Sequence, residues 1–232
     1  MSRVRQKIRE TEINSEGVDE ANKSRAVLLG GLLLIVLLGI GLMIFLGMGG
    51  GRATAPTGVY EGVAINGRVL GNPDAPLLIR DFSDFNCPHC RSAAVGLTPE
   101  IIKTYVVSGQ ARLEFIPVAV LENSEVPATA SLCAEDQGQF WIYQEKLFDR
   151  QGQERFDIEQ LIKYADELGL DAQTFRDCML SGKHASTLNA NNQEFHRVGA
   201  SGTPTFIVGD ELVAGAVPFA EIQQVIEKEL NP

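Results

Sequence analysis

Two cysteines separated by two residues, in Cys87-Pro88-His89-Cys90, are the residues of this sequence best suited to chemistry. They follow an apolar-rich run of strand length, residues 77–85, and precede a segment that can form a helix. Cys87 is therefore expected near the first turn of a helix, where free backbone N–H groups and the helix dipole favour a thiolate. His89 adds a donor and, when protonated, a positive charge. A well-stabilised thiolate leaves easily, so a Cys87–Cys90 disulfide should be readily reduced, with Cys90 as the shielded resolving thiol.

The main alternative for this motif is half of a zinc site. Structural zinc has four ligands, usually including a second close pair, and Cys133 and Cys178 are far apart in sequence. His184 and His196 are expected to be surface residues or residues satisfied within helices. The sequence therefore predicts no metal and no bound cofactor, and leaves the cysteine pair as the reactive group.

Length, cysteine count and charge limit the possible classes of protein. The chain has 232 residues, enough for one ordinary domain with accessory segments, and four cysteines, which allow three pairings. The net charge is −10, and after residue 55 there are 25 acidic against 13 basic residues. Such a balance argues against nucleic-acid binding, which needs a basic surface.

An uncharged apolar segment, Ala26–Met48, precedes the cysteine motif. As a helix it would be roughly 35 Å long, enough to cross a bilayer with some tilt. A cleaved signal peptide is the alternative, but its apolar core would be shorter. Ala53-Thr54-Ala55 resembles a cleavage site, although Pro56 would follow the cut and should hinder it. We therefore predict an uncleaved transmembrane helix over residues 26–48.

Basic residues beside this segment predict its orientation. Six precede it and only Arg52 and Arg68 closely follow it, which places the N-terminus in the cytoplasm; the six are Arg3, Arg5, Lys7, Arg9, Lys23 and Arg25. Residues 1–25 then form a polar, disordered cytoplasmic tail and residues 49–58 a flexible linker. Residues 59–232 would form the extracytoplasmic domain, in a compartment where disulfides persist.

Strands and one long helix are predicted around the cysteine motif. Short strands are expected near Glu61–Ala64 and Arg68–Leu70, a central strand at Leu77–Phe82, and another at Ala111–Val118. The intervening helix should run from Cys90 to about Val107, with a kink or break near Leu97–Thr98 because Pro99 lies inside it. A strand, a helix and a strand in this order predict a parallel pair.

The remaining sequence predicts a helical insert and a final hairpin. Residues from about 122 to 198 have helical patterns throughout, far more than one crossover requires, with Asp157 and Asp171 as expected N-caps. Strands at Thr205–Val208 and Glu211–Ala214 and a last helix after Pro218 follow. The fold class is therefore α/β.

Three separated motifs carry a resemblance to a known family. They are Cys-Pro-His-Cys after a Phe-Ser-Asp-Phe strand, the helical segment Glu135–Trp141, and Gly202-Thr203-Pro204-Thr205-Phe206 at the start of a strand. In this order, over roughly residues 60–232, they resemble the DsbA-like family of thioredoxin-fold thiol:disulfide oxidoreductases, in particular its membrane-anchored branch. A proline is also simply tolerated at a strand start.

The resemblance implies a thioredoxin fold interrupted by a helical subdomain and a set of site residues. Cys87 would be the exposed attacking thiol and Cys90 its partner, with Pro88 and His89 between them. Pro204, cis after Thr203, would lie against the disulfide and help to bind an extended substrate segment. Asp81 matches an acidic strand position behind the motif and could relay a proton.

Cys133 and Cys178 form the second cysteine pair. Cys133 shares a helical face with Val126 and Ala130, and Cys178 shares one with Phe175 and Met179, so both should be buried. In an oxidising compartment such cysteines are expected to pair, and an extra bridge is common in the resembled family. Two free buried thiols and a redox relay are the alternatives.

The functional prediction is a membrane-tethered oxidase that introduces disulfides into exported client proteins. Its reduced form would be reoxidised by a quinone-linked membrane partner, which the resemblance implies. A reductase or an isomerase of the same fold, or a tethered binding or chaperone module with an idle disulfide, are the alternatives.

Overall fold

A computed structural model of the protein describes residues 60–231. The predicted cytoplasmic tail (1–25), transmembrane helix (26–48) and linker (49–58) lie outside these described residues. Within residues 60–231, none of the helices has the length and apolar character that a membrane crossing requires.

Six strands, all within the described residues, form one mixed sheet in the order β1-β2-β4-β3-β5-β6. They are β1 Ile65–Asn66, β2 Val69–Leu70, β3 Leu77–Ser83, β4 Ala111–Pro117, β5 Thr205–Val208 and β6 Glu211–Ala214. The predicted parallel pair is confirmed, because β3 and β4 run parallel from Leu77 opposite Ala111. On its other side β3 pairs antiparallel with β5, which puts β3 at the centre of the sheet. This arrangement is a thioredoxin fold.

The strand expected over Glu61–Ala64 is wrong. Tyr60 to Gly62 form a turn, closed by a hydrogen bond from Val63 N to Tyr60 O at 3.1 Å. Gly62 has φ of 78°, a value that glycine adopts at little cost and that interrupts an extended strand. The strand pairing therefore starts only at Ile65, and β1 and β2 make a short hairpin beside β4.

Helical backbone follows the cysteine motif from Pro88 to Val106, in alternating α and π segments. The α segments are α1 Pro88–Ser92 and α2 Thr98–Ile101, and the π segments are Ala93–Leu97 and Ile102–Val106. Of the predicted kink or break near Leu97–Thr98, the break does not occur, because both residues keep right-handed helical dihedrals. The helix instead changes from a π to an α segment between these two residues. Pro99 cannot donate a backbone hydrogen bond, and the wider π turn just before it accommodates this without ending the helix.

The part of the chain that the structure describes has five helices between β4 and β5, in the region predicted as a helical insert. They are α3 Glu125–Glu135, α4 Phe140–Arg150, α5 Ile158–Glu167, α6 Ala172–Ser181 and α7 Ala185–Arg197, and α8 Phe219–Leu230 ends the fold. The predicted N-caps are confirmed, since Asp157 accepts from Gln160 N and Asp171 accepts from Thr174 N.

Aromatic side chains connect the sheet to the insert beneath the cysteine motif. Phe115 of β4 lies 5.6 Å from Phe85 and 5.4 Å from Phe140, measured between ring centroids. Phe85 also lies 5.1 Å from Phe148 of α4. These rings are buried, and each pair of packed rings stabilises the fold beyond the burial of the two side chains alone. The loop that carries Cys87 therefore packs against aromatic side chains of both the sheet and the insert.

A disulfide bond joins Cys133 of α3 to Cys178 of α6, the pairing expected for the second cysteine pair. Both residues are buried, as their helical faces indicated. The bond connects two helices of the insert and lies outside the cysteine motif.

Candidate active site

Cys87 occupies the N-cap of α1, with extended dihedrals and Pro88 at the first helical position. The exposed surface of the motif comes from Pro88 and His89, whereas Cys90 is fully buried. Cys87 is less exposed than expected, at 6% of its surface. Both cysteines of the motif are free thiols here, so the site is in its dithiol form.

The loop before β5 covers Cys87. The Thr203–Pro204 peptide bond is cis, and the Cys87 thiol donates a hydrogen bond to Thr203 O at 3.1 Å. The register explains the contact, because Thr205 pairs with Phe82 near the end of β3, a few residues before Cys87. Antiparallel pairing of β5 with β3 therefore brings residues 116 positions apart to one place. This cover also accounts for the low exposure of Cys87.

Cys90 is enclosed behind Cys87. Its sulfur accepts a hydrogen bond from Asp84 N at 3.3 Å. Burial raises the pKa of the Cys90 thiol far above its ordinary value, and the charges of Asp81 and Cys87 add to the rise. The hydrogen bond from Asp84 N opposes this shift without cancelling it. Cys90 is therefore held as a protonated thiol at neutral pH.

Asp81, the predicted proton relay, lies on the central strand and is almost completely buried. Burial raises its pKa to about 7, although a hydrogen bond from Ser83 Oγ at 2.6 Å partly offsets the effect. A carboxyl group with this pKa can gain or lose a proton near neutral pH. Its charge also acts on Cys90, which places a titratable acid within electrostatic range of the buried thiol.

A second buried acid, Asp84, was not among the predicted site residues. Its carboxyl oxygens accept hydrogen bonds from Asn86 N at 2.8 Å, Val120 N at 3.0 Å, Leu121 N at 3.1 Å and Ser124 Oγ. Asp84 thus fastens the loop before Cys87 to the loop between β4 and α3. The contact with Asn86, two residues on, is a typical turn for aspartate and is the signal that could have identified it.

The insert contacts the cysteine motif through two side chains that the sequence did not single out. Gln151 Nε2, just after α4, donates to Phe85 O at 2.6 Å and to Cys87 O at 3.0 Å. Arg91 Nε of α1 donates to Phe148 O at 2.8 Å. No sequence pattern shows how the insert is placed, so no signal pointed to these contacts.

A groove of about 740 Å³ opens beside the motif, between it and the insert. Its lining includes Asn86, Pro88 and Gln151, together with residues of the loop after α4 and the first residues of α5. Because Pro88 is part of this lining, an extended segment lying in the groove would approach the cysteine motif.

Together these residues can carry thiol–disulfide exchange. Cys87 is the sulfur nearer to solvent, and Cys90 is a buried thiol beside a titratable acid. The structure therefore brings Cys87, Cys90, Thr203, Pro204 and Asp81 to one site. His89 is exposed at its rim.

Comparisons with known proteins cover most of the chain. The family model described as Thioredoxin matches residues 64–228. Disulfide bond formation protein D of Bacillus subtilis is 29% identical over 174 residues, which are 70% of this chain and 77% of that protein. The oxidised crystal structure of BdbD from Bacillus subtilis has 28% identity and a TM-score of 0.66, covering 74% of this chain and 97% of that one. The crystal structure of Chlamydia trachomatis DsbA has 27% identity and a TM-score of 0.63, over 69% and 90% of the two chains.

The matched region contains the sheet, the insert and the cysteine motif described above. The sequence and structure comparisons therefore agree with the chemistry of the site, which is exchange between a dithiol and a disulfide. The chain belongs to the thioredoxin family and is a DsbA-like thiol:disulfide oxidoreductase.

Proposed function

We propose that the protein is an oxidase that introduces disulfides into exported proteins. The observation that carries this proposal is the asymmetry of the two thiols. Cys87 lies at a helix N-cap beside Thr203 O and next to a groove, whereas Cys90 is enclosed and its pKa is strongly raised. A client can reach only the first sulfur, because Cys90 is fully buried behind it.

The reaction consists of two exchanges. A client thiolate attacks Cys87 Sγ of the oxidised enzyme, a client–Cys87 disulfide forms, and Cys90 leaves as a thiolate that takes up a proton. A second client thiolate then attacks the client sulfur of the mixed disulfide and releases Cys87. The client loses two electrons and two protons and gains a disulfide, while the enzyme becomes the dithiol.

Asp81 supplies the proton in the first exchange. A carboxyl with a pKa of about 7 is largely protonated below neutral pH, and the Cys90 thiolate that leaves beside it is a strong base because its pKa is raised. Transfer from Asp81 to Cys90 is therefore downhill. Asp81 acts here as a proton relay rather than as a group that touches the client.

The sequence outside residues 60–231 supports a location at the cell membrane. The uncharged segment over residues 26–48 serves as a single-pass anchor in the bilayer, and the basic residues before it keep the N-terminus in the cytoplasm. The catalytic domain then faces an oxidising compartment. A quinone-linked membrane enzyme reoxidises Cys87 and Cys90 there.

The redox state of Cys87 in intact cells tests the direction of the reaction. Acid quenching followed by alkylation with a mass tag should find Cys87 largely oxidised. The measurement uses the Cys133→Ser/Cys178→Ser variant, in which only Cys87 and Cys90 can react with the tag. A largely reduced pair would favour a reductase or an isomerase instead. If Cys87→Ser leaves client oxidation intact, the protein is a binding or chaperone module.

The reduction potential provides an independent measurement. An oxidase of this fold should lie near the DsbA value of about −120 mV, well above the thioredoxin value of about −270 mV. Equilibration of Cys87 and Cys90 with glutathione buffers, followed by alkylation and mass spectrometry, gives the reduction potential of the pair. A potential close to that of thioredoxin would contradict the proposal.

A further inference from the structure

Four side chains with metal-binding groups meet in the insert, away from the cysteine motif. Cys133 is on α3, Asp136 caps the C-terminus of that helix, Cys178 is on α6, and His184 precedes α7. Their sulfur, oxygen and nitrogen atoms all lie within 4.8 Å of one another. The fold therefore gathers four ligand types at one point, although Cys133 and Cys178 are 45 residues apart.

The sequence spacing supplies two ligands from each of two segments. Asp136 follows Cys133 by three residues, one helical turn, so the two side chains leave α3 on the same side. His184 follows Cys178 by six residues, and Gly182 between them has φ of 68°, which reverses the chain and returns His184 towards Cys178. Paired ligands of this kind are typical of structural zinc sites.

Polar contacts already organise the open side of this cluster. Asp136 Oδ2 lies 2.8 Å from His184 Nε2, 2.7 Å from Lys183 Nζ and 3.4 Å from Cys178 Sγ. The Asp136 carboxylate therefore already lies among the other ligand atoms of the cluster.

At present the disulfide occupies both sulfurs, and Lys183 neutralises the carboxylate. Reduction would free both sulfurs, because two thiols would then face His184 and Asp136. The pairing of Lys183 with Asp136 is also easily broken, since the Lys183 side chain is half exposed and can turn into solvent. A tetrahedral zinc site needs its ligand atoms about 3.3–3.8 Å apart, so shifts of about 1 Å and separation of the two sulfurs would complete it.

We propose that reduction of the Cys133–Cys178 disulfide creates a site for a thiophilic divalent cation such as Zn²⁺, with Cys133, Cys178, His184 and Asp136 as ligands. A dithiol gives two electrons and two protons to the bond and becomes a disulfide itself. Binding of the cation then releases the two thiol protons to solvent and leaves both sulfurs as thiolates. The same two helices are thus cross-linked either by a covalent bond or by a metal.

Cobalt titration of the full-length chain tests the site, because Co²⁺ reports its ligands by absorption. The protein carries Cys87→Ser and Cys90→Ser, so that only the second pair can bind, and is reduced anaerobically with a phosphine. We expect one Co²⁺ per chain, with a thiolate-to-cobalt band in the near ultraviolet and the visible bands of tetrahedral Co²⁺. Zn²⁺ should displace it, and the oxidised protein should show neither band.

Two histidine variants test whether His184 is a ligand of the metal. In the reduced background His184→Ala should weaken Co²⁺ binding by about tenfold or more. His196→Ala, which removes the exposed histidine of α7, should leave it unchanged. A reduced, folded protein without the tetrahedral spectrum, or equal affinities in the two variants, would overturn the proposal.

The outcome remains decisive if reduction unfolds the insert. Far-ultraviolet circular dichroism of the reduced protein, with and without Zn²⁺, then measures whether the metal restores the helices. Recovery with Zn²⁺ in the parent background but not in His184→Ala supports the site. An unfolded reduced protein that Zn²⁺ does not restore would contradict it. Because Cys87 and Cys90 are absent here, neither result depends on the oxidase proposal.

Discussion

Two buried acids on either side of Ser83 have opposite roles at the cysteine motif. Among the described residues, the Asp81 carboxyl accepts a side-chain hydrogen bond from Ser83 alone, and its pKa is raised to about 7, so it can exchange a proton with its surroundings. Asp84 is surrounded by donors and orders the chain around Cys87 and Cys90. Asp81 can therefore take part in proton transfer, whereas the contribution of Asp84 is structural.

The raised pKa of Asp81 predicts how stability depends on pH. Between its ordinary value of 3.8 and about 7, the unfolded chain loses the proton while the folded chain keeps it, so the free energy of unfolding falls as pH rises. The total loss is at most about 4 kcal/mol. Asp81→Asn should therefore match the parent near about pH 4 and exceed its stability above about pH 7. Urea unfolding across this range measures it, with the exposed Asp210→Asn as the control that should follow the parent.

Asp84→Asn should destabilise the protein by about 2–3 kcal/mol, because its amide group would face backbone N–H donors that now reach a carboxyl oxygen. The loss should also slow reduction of the Cys87–Cys90 disulfide if residue 84 shifts, because its backbone N–H, which asparagine retains, would then move away from Cys90. Urea unfolding and stopped-flow Trp141 fluorescence would measure the two effects. A variant as stable as the parent would show that these bonds are replaced by water.

Secondary-structure elements place the site by register rather than by local sequence. The turn from β3 into α1 presents Cys87, and β5 pairs with β3 and brings Thr203 to it. Gln151, just after α4, donates to the backbone of the motif. Each contact joins residues that are far apart in the chain. The insert is therefore a structural support for the cysteine motif as well as a wall of the groove.

Gln151→Ala tests this support. It removes the donor to Phe85 O and Cys87 O, so we expect a loss of about 1–3 kcal/mol in stability. A loosened loop should also slow oxidation of a dithiol peptide by roughly tenfold. Gln153→Ala is the matched control, because Gln153 is exposed in the turn after α4 and its amide donates to Asp149 O of that helix, not to the motif. Equal rates in the two variants would mean that the insert does not support the motif.

Removal of the second disulfide tests an element-scale stabilisation. Cys133→Ser/Cys178→Ser frees a loop of 45 residues, which should cost about 3–4 kcal/mol by the chain-entropy estimate. The cysteine motif lies elsewhere, so client oxidation at a temperature where the variant is folded should be unchanged. Unfolding by urea and peptide oxidation measure the two quantities. Loss of oxidation in a folded variant would instead favour a redox relay between the pairs.

The sequence predicted elements with local signals and missed those that depend on tertiary placement. The central strand, the parallel pair, the hairpin and the caps Asp157 and Asp171 follow from periodicity and turn chemistry. The contacts of Asp84 and Gln151 do not, because their partners at Val120 and Cys87 are found only after the insert folds back. The short strand at Glu61–Ala64 failed for a local reason, the positive φ of Gly62.

At the scale of the whole molecule, charge should select among clients. After residue 55 the chain has 25 acidic and 13 basic residues. The groove beside Pro88 is lined by Glu154, Asp157, Glu159 and Arg155, although Glu154 and Glu159 are also paired with Arg150 and Arg176. A surface of this sign attracts cationic segments and repels anionic ones over a distance set by the Debye length. The acidic balance is thus a kinetic property, separate from the exchange chemistry at Cys87.

Two dithiol peptides of equal length, one with lysines and one with glutamates around the cysteines, test this selection. The cationic peptide should be oxidised at least about tenfold faster at low ionic strength, because attraction raises the encounter rate. The ratio should fall towards one as the Debye length shrinks from about 10 Å at 0.1 M salt to about 3 Å at 1 M. A neutral peptide, whose rate should vary little with salt, is the control. A ratio that salt does not change would place the preference in direct contacts within the groove instead of in the field of the domain.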